Sequence, residues 1–147
     1  MAADSWYEHR VSAPAPVRVL IADDHAMTRS CLAELVAGEP DLVVVGTAED
    51  GVRAVELAER EQPDVVLLDL SMPKLDGIRA SEHMHCKSPY TRVLVLSSHP
   101  DEVVVAAAKL AGVSGYLTKD VPCTEMLDGI RRVHEGGSPR VERRPAS

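Results

Sequence analysis

Short apolar runs in this sequence repeatedly end on a residue able to do chemistry. "VRVLIA" (17 to 22) runs into Asp23 and Asp24, "VVLL" (65 to 68) into Asp69, "RVLVLS" (92 to 97) ends on Ser97 with Ser98 behind it, and "SGYLT" (114 to 118) runs into Lys119. Taken singly, each has an ordinary explanation, because acids and hydroxyls after a strand commonly cap the next helix or face water. Their recurrence on one kind of edge argues for a shared site. Three carboxylates brought within a few ångströms repel one another by about 4 kcal/mol per pair at 4 Å and an effective dielectric of 20. Lys119 supplies one positive charge, and the two negative charges left over match a divalent cation. Carboxylates, a backbone carbonyl and water are hard oxygen ligands, suited to Mg²⁺ or Mn²⁺ and not to zinc.

The same residues suggest a reaction. An ionised carboxylate, with a reference pKa of about 3.9, needs no general base at neutral pH, so Asp69 can attack a phosphoryl group directly and form an acyl phosphate. A cation held by Asp24 and Asp69, the Lys119 ammonium and the Ser97 hydroxyl would then share the phosphoryl oxygens. Phosphorylation replaces about one negative charge by up to two and adds three acceptor oxygens, toward which Ser97 and Lys119 can move.

These residues need elements that deliver them to one place. The apolar runs, with "LVVVGTA" (42 to 48), are short and rich in β-branched residues, as strands are. Helical periods lie between them: Ala26 to Ala37 ending at Gly38, Val52 to Arg60, Ile78 to Cys86, "DEVVVAAAKLAG" (101 to 112), and a last helix from Pro122 with Cys123, Met126, Leu127, Ile130 and Val133 on one stripe. Five β-then-α units predict a parallel sheet between two helix layers, a (βα)5 three-layer α/β sandwich. Ligands of such sheets bind at the carboxyl ends of the strands, where the chemistry-bearing residues fall.

Composition agrees. The 147 residues suit one domain, and the chain, 45% hydrophobic without a single Phe, must fill its core with Val, Leu, Ile, Ala and Met. A net charge of −7 opposes nucleic-acid binding by this chain alone. Three cysteines without C-x-x-C spacing predict a reducing, cytoplasmic setting, and no apolar run approaches the roughly 18 residues of a membrane span. Residues 1–16, ending in alternating Ala and Pro, read as a disordered leader, 17–136 as the domain, and 137–147 as a linker or tail.

With these residues in view, the chain resembles the receiver domain of a bacterial two-component response regulator. The resemblance runs from about Val17 to Glu135 and rests on "VLIADDHAMTR" (19 to 29), "PDVVLLDLSMPKLDG" (63 to 77), "VLVLSSH" (93 to 99) and "AGVSGYLTKD" (111 to 120). It implies a flavodoxin-like fold with strand order 2-1-3-4-5. It further implies Asp69 as phosphoacceptor, Asp24 as direct Mg²⁺ ligand, Asp23 assisting mainly through water, and Ser71 giving its backbone carbonyl. Ser97 would be the switch hydroxyl, Lys119 the phosphate-binding lysine and Tyr116 the switch aromatic. Many receivers carry Pro after the lysine; here Asp120 stands there. "ADDHAM", Ser-Ser-His and "GYLTKD" are similar to the NarL/FixJ branch, whose members usually regulate transcription through a C-terminal helix-turn-helix domain. The implied partner is a sensor histidine kinase, and the chain would not be an enzyme but a phosphoacceptor that assists its own phosphorylation and dephosphorylation. Ser71 and His99 would lie beside the route of an attacking water and influence phosphoryl lifetime.

Other features are weaker. The helix at 103 to 111 is apolar nearly all round, so its outer side is a candidate contact surface, and the family resemblance implies a homodimer through the 101–135 face. His83 and Cys86 share a helix face but read as solvated, and His25 reads as the start of the first helix rather than a ligand. Two other classes fit the residues less well. A Mg²⁺-dependent phosphohydrolase would want an acid two residues after the nucleophile, where Ser71 stands, and a phosphorylation-independent interaction domain would have no need of the full set of acids, hydroxyl and lysine.

Overall fold

The computed structural model describes residues 15–70, 76–98 and 102–136. The expected tail 137–147, nearly all of the leader, Ser71 and His99 lie outside the described residues.

Strands and helices alternate throughout: β1 Val17–Ala22, α1 Ala26–Ala37, β2 Leu42–Ala48, α2 Gly51–Glu61, β3 Val65–Asp69, α3 Gly77–Lys87, β4 Arg92–Ser97, α4 Glu102–Leu110, β5 Gly115–Thr118 and α5 Cys123–Gly136. All pairings are parallel and the order is β2-β1-β3-β4-β5. This is the expected (βα)5 flavodoxin-like arrangement, with β3 extended by one residue to include Asp69 itself. Asp69 pairs with Leu96, and Ser97 with Thr118, so the register brings the ends of β3, β4 and β5 to one level.

Alternation along the strands builds two cores. Val19, Ile21, Val65, Leu67, Leu94 and Leu96 pack toward α1 and α5, against Val36, Ile130 and Val133. Leu20, Val66, Leu68, Val95 and Tyr116 face α2, α3 and α4, where Ala54, Ala58, Ala80 and Ala108 let the helices approach closely. The central strand β3 is buried along its whole length, which is why its sequence reads as an unbroken apolar run. Asp50 and Asp76 cap α2 and α3, their carboxylates accepting from the Arg53 and Arg79 amides at 2.8 and 3.0 Å. One residue departs from the expected stripe of α5. Cys123 is exposed, because it opens the helix before the stripe turns onto the sheet.

Candidate functional site

The carboxyl edge of the sheet gathers the acids. Asp23 follows β1 with its amide donating to Ala48 of β2 at 3.0 Å, and its side chain is almost fully buried. Its Oδ1 accepts the His25 amide at 2.8 Å, and its Oδ2 accepts the Lys119 Nζ at 3.0 Å. The same ammonium stands 3.4 Å from Asp69 Oδ2 at the end of β3. The Lys119 amide, in turn, donates to the Ser97 carbonyl at 2.9 Å, which ties the end of β5 to the end of β4. Burial pulls the Lys119 ammonium toward neutrality, but the hydrogen bond to Asp23 and the charges of Asp69 and Asp23 outweigh it and hold its pKa above the usual lysine value.

Asp23, Asp24, His25 and Asp69 offer ligand atoms that all lie within 4.8 Å of one another. With Lys119 counted, the three carboxylates leave two negative charges. Asp24 Oδ1 is buried yet accepts no hydrogen bond; the His25 Nδ1 lies 3.2 Å away without hydrogen-bonding alignment. A buried acceptor of this kind among crowded carboxylates is what a hard dication satisfies. Asp24 and Asp69 would hold Mg²⁺ or Mn²⁺ there, with Asp23 behind them anchoring the lysine.

Of the residues expected from the sequence, Asp23, Asp24, Asp69 and Lys119 come together. Ser97 ends β4, buried, on the same edge. Tyr116 points into the core on the α2–α4 side and is 5% exposed, its hydroxyl without a hydrogen-bond partner among the described residues. His83 and Cys86 are exposed and form no metal-ligand cluster among the described residues.

The residues of the chain from 19 to 131 match the family model described as "Response regulator receiver domain". The chain belongs to the receiver domain family of two-component response regulators. Among curated relatives, this receiver is 38% identical over 122 residues to the transcriptional regulatory protein DegU of Brevibacillus brevis, covering 83% of this chain and 52% of that protein. It is 37% identical over 123 residues to the nitrate/nitrite response regulator protein NarL of Escherichia coli, covering 82% and 56%. The chain thus spans about half the length of these relatives. Among solved structures, the signal receiver domain of a response regulator NarL from Mycobacterium tuberculosis superposes with a TM-score of 0.81 at 35% identity, covering 84% of this chain and 99% of that one. The response regulator domain of Thermotoga maritima CheB gives 0.76 at 35% identity, covering 81% and 96%.

Three contributors to the receiver's site were not legible as such. His25 does begin α1, as its N-cap, but makes no side-chain cap bond and instead sets its ring beside the acids. Arg29, one turn into α1, donates to the Asp23 carbonyl at 2.8 Å and so pins the acidic loop. Gly77 lies against the backbone that leaves Asp69. The Asp-Asp-His-x-x-x-Arg spacing was visible for the first two, but only the fold decides which way the side chains turn.

Proposed function

We propose that this receiver is a switch in which Asp69 accepts a phosphoryl group from the phosphohistidine of a sensor kinase. An Asp69 oxygen bonds to phosphorus as the phosphorus–nitrogen bond breaks, and the imidazole nitrogen leaves with the electron pair. Mg²⁺ or Mn²⁺ would supply positive charge that offsets the negative oxygens of the incoming group. Asp24 and Asp69 would hold it, with the Ser71 backbone carbonyl as the further ligand that the family resemblance implies, while Asp23 orients the lysine. Lys119 exchanges its contact with the carboxylates for a phosphoryl oxygen, the Ser97 hydroxyl takes another, and Tyr116 repacks on the core side of β5. Hydrolysis of the acyl phosphate by water, which returns the Asp69 carboxylate and releases inorganic phosphate, makes the receiver an aid to its own dephosphorylation, and the family resemblance implies that Ser71 and His99 influence its rate.

The observation that carries this reading is the single ammonium of Lys119, which stands 3.0 Å from Asp23 and 3.4 Å from Asp69 and joins the ends of β1, β3 and β5. A pre-placed cation beside a buried carboxylate is what an anionic donor group requires.

The output is a protein-contact surface on the 101–135 face, where Val103 and Leu110 are 77% and 90% exposed, and a homodimer is the contact we assign to it. Relatives named as transcriptional regulators support a DNA-binding output through a further C-terminal domain beyond the 137–147 linker. The net charge of −7 argues against DNA binding by the receiver itself. A cytoplasmic setting fits the three exposed free cysteines.

The test is incubation with a small acyl phosphate and Mg²⁺, followed by intact mass. The expected result is a gain of one phosphoryl group that is lost in Asp69→Asn and suppressed by a chelator. A gain that survives Asp69→Asn would overturn the assignment, and no gain at all would point to an interaction module that works without phosphorylation.

A further inference from the structure

The acidic cluster contains a nitrogen that an oxygen-only Mg²⁺ site does not need. The His25 backbone is extended at φ −90° and ψ 114°, and its amide bond to Asp23 Oδ1 folds the residue back over the acids. In this position Nδ1 lies 3.2 Å from Asp24 Oδ1 and 3.5 Å from Asp23 Oδ1. The side chain is 71% exposed and caps nothing, so neither apolar burial nor helix capping accounts for where the ring points. Two donor atoms bound at right angles to an ion with bonds near 2.1 Å stand about 3 Å apart. Nδ1 and Asp24 Oδ1 have that spacing without the alignment of a hydrogen bond, and His25 and Asp24 are two of the four residues that each offer a ligand atom within 4.8 Å of the others'.

We propose that His25 is a direct nitrogen ligand of the receiver's divalent cation, and that it tilts the site from Mg²⁺ toward first-row transition ions such as Mn²⁺ and Co²⁺. The inference rests on the metal site of the functional reading above and adds to it a donor and an ion preference. Mg²⁺ keeps oxygen ligands and several waters, whereas imidazole is a good ligand for transition dications, whose affinities for mixed nitrogen and oxygen sites rise along the Irving–Williams series. His25 binds as the neutral ring protonated on Nε2, with the Nδ1 lone pair facing the ion. The mouth of the site then senses which dication is abundant, and the receiver loads more readily with Mn²⁺ or Co²⁺ than its carboxylates alone would allow.

Two measurements on the intact chain test this. Pulsed electron paramagnetic resonance of the Mn²⁺ complex is expected to show ¹⁴N modulation from a bound imidazole, and His25→Ala is expected to abolish it while Mn²⁺ still binds. Calorimetric titration is expected to give His25→Ala a Co²⁺ affinity lower by roughly tenfold or more, the scale on which even outer-shell partners act, with Mg²⁺ affinity nearly unchanged. His25→Asn, which returns an oxygen donor, should keep Mg²⁺ binding without restoring the Co²⁺ preference. Absence of nitrogen modulation in the bound wild-type complex, its survival in His25→Ala, or an unchanged Co²⁺-to-Mg²⁺ ratio overturns the inference. Asp69 phosphorylation with Mg²⁺ persisting alongside any of those outcomes would sink the ligand role of His25 alone, whereas failure of every dication to bind would remove both readings.

Discussion

The Gly77 α-carbon is pressed against the chain leaving Asp69: a β-carbon built on it would stand 2.7 Å from the Asp69 carbonyl oxygen and 2.5 Å from the Leu70 Cα. The Gly77 amide also donates to the Leu70 carbonyl at 3.2 Å. The start of α3 therefore serves as a wall behind Asp69. Both clashing atoms belong to backbone, so no side chain can simply swing away.

Gly77→Ala is expected to lower stability by about 1–3 kcal/mol, the range for forced overpacking, and to slow Asp69 phosphorylation by shifting its carboxylate. Urea unfolding and the phosphodonor rate measure the two effects. Gly38→Ala is the control. An added β-carbon there meets nothing nearer than 3.5 Å and the backbone is already right-handed helical, so stability should hold or rise slightly.

At the opposite edge of the sheet a buried hydroxyl chain joins the segments that lead into β3 and β4. Thr91 Oγ1 donates to the Pro63 carbonyl at 2.6 Å and touches Ser88 Oγ, which donates to Gln62 Oε1 at 3.1 Å. Thr91→Val keeps the shape and removes the hydroxyl, which strands a buried carbonyl. A loss of about 1–3 kcal/mol in urea unfolding is expected, with the phosphorylation rate unchanged because the site lies at the other end of the strands. A slowed rate would show that the two edges are coupled.

Most of this architecture could be read from residue order, and the reason is physical. Buried parallel strands must be apolar on both faces, so "VVLL" announced β3 and the acid after it announced the edge. Asp23, Asp24, Asp69 and Lys119 were legible because each closes such a run. The His25 ring and the Arg29 guanidinium were not, since both lie in a helix start whose side-chain directions depend on how the β1 loop folds back. Gly77 carries no signal of its own in the sequence; its closeness to Leu70 is a contact between backbones that no residue type encodes. The Cys123 position failed for a related reason, because the first residue of a helix precedes the turn that sets the buried stripe.

Arg131 of α5 grips the loop before β2, donating to Asp41 at 2.8 and 2.9 Å, to Glu39 at 2.7 Å and to Asp128 at 3.2 Å. The Arg131 hydrogen bond holds the Asp41 carboxyl below the ordinary value of 3.8, against the opposing effect of burial. A depressed folded pKa means that the stabilisation is complete above the unfolded value and is lost as pH falls through the folded one. Asp41 is half exposed, so screening limits the effect. Arg131→Ala should therefore be less stable than wild type by about 1 kcal/mol at pH 7, in line with exposed ion pairs in a good geometry. The gap should narrow below pH 3.8. A gap of equal size at pH 7 and under strong acid would show that Arg131 acts through its packing and not its charge.

The crowding of Asp23, Asp24 and Asp69 is a source of instability that a dication should reverse. Asp24 is the member to alter, since its side chain is 28% exposed and its buried Oδ1 accepts no hydrogen bond, so Asn at this position removes a charge without breaking a hydrogen bond to that oxygen. In a chelator, Asp24→Asn is expected to melt above wild type, because like charges a few ångströms apart disfavour the folded state. In saturating Mg²⁺ the order should reverse. A ligand that binds only the folded form stabilises it by about 2.7 kcal/mol at a hundred times its dissociation constant, and Asp24→Asn forfeits most of that gain. The pair of melting curves separates the two effects that one substitution combines. If Mg²⁺ raised the melting temperature of Asp24→Asn as much as that of wild type, the cation would have to sit elsewhere; if the chelated variant melted below wild type, repulsion among the acids would not be the force that Lys119 and the cation oppose.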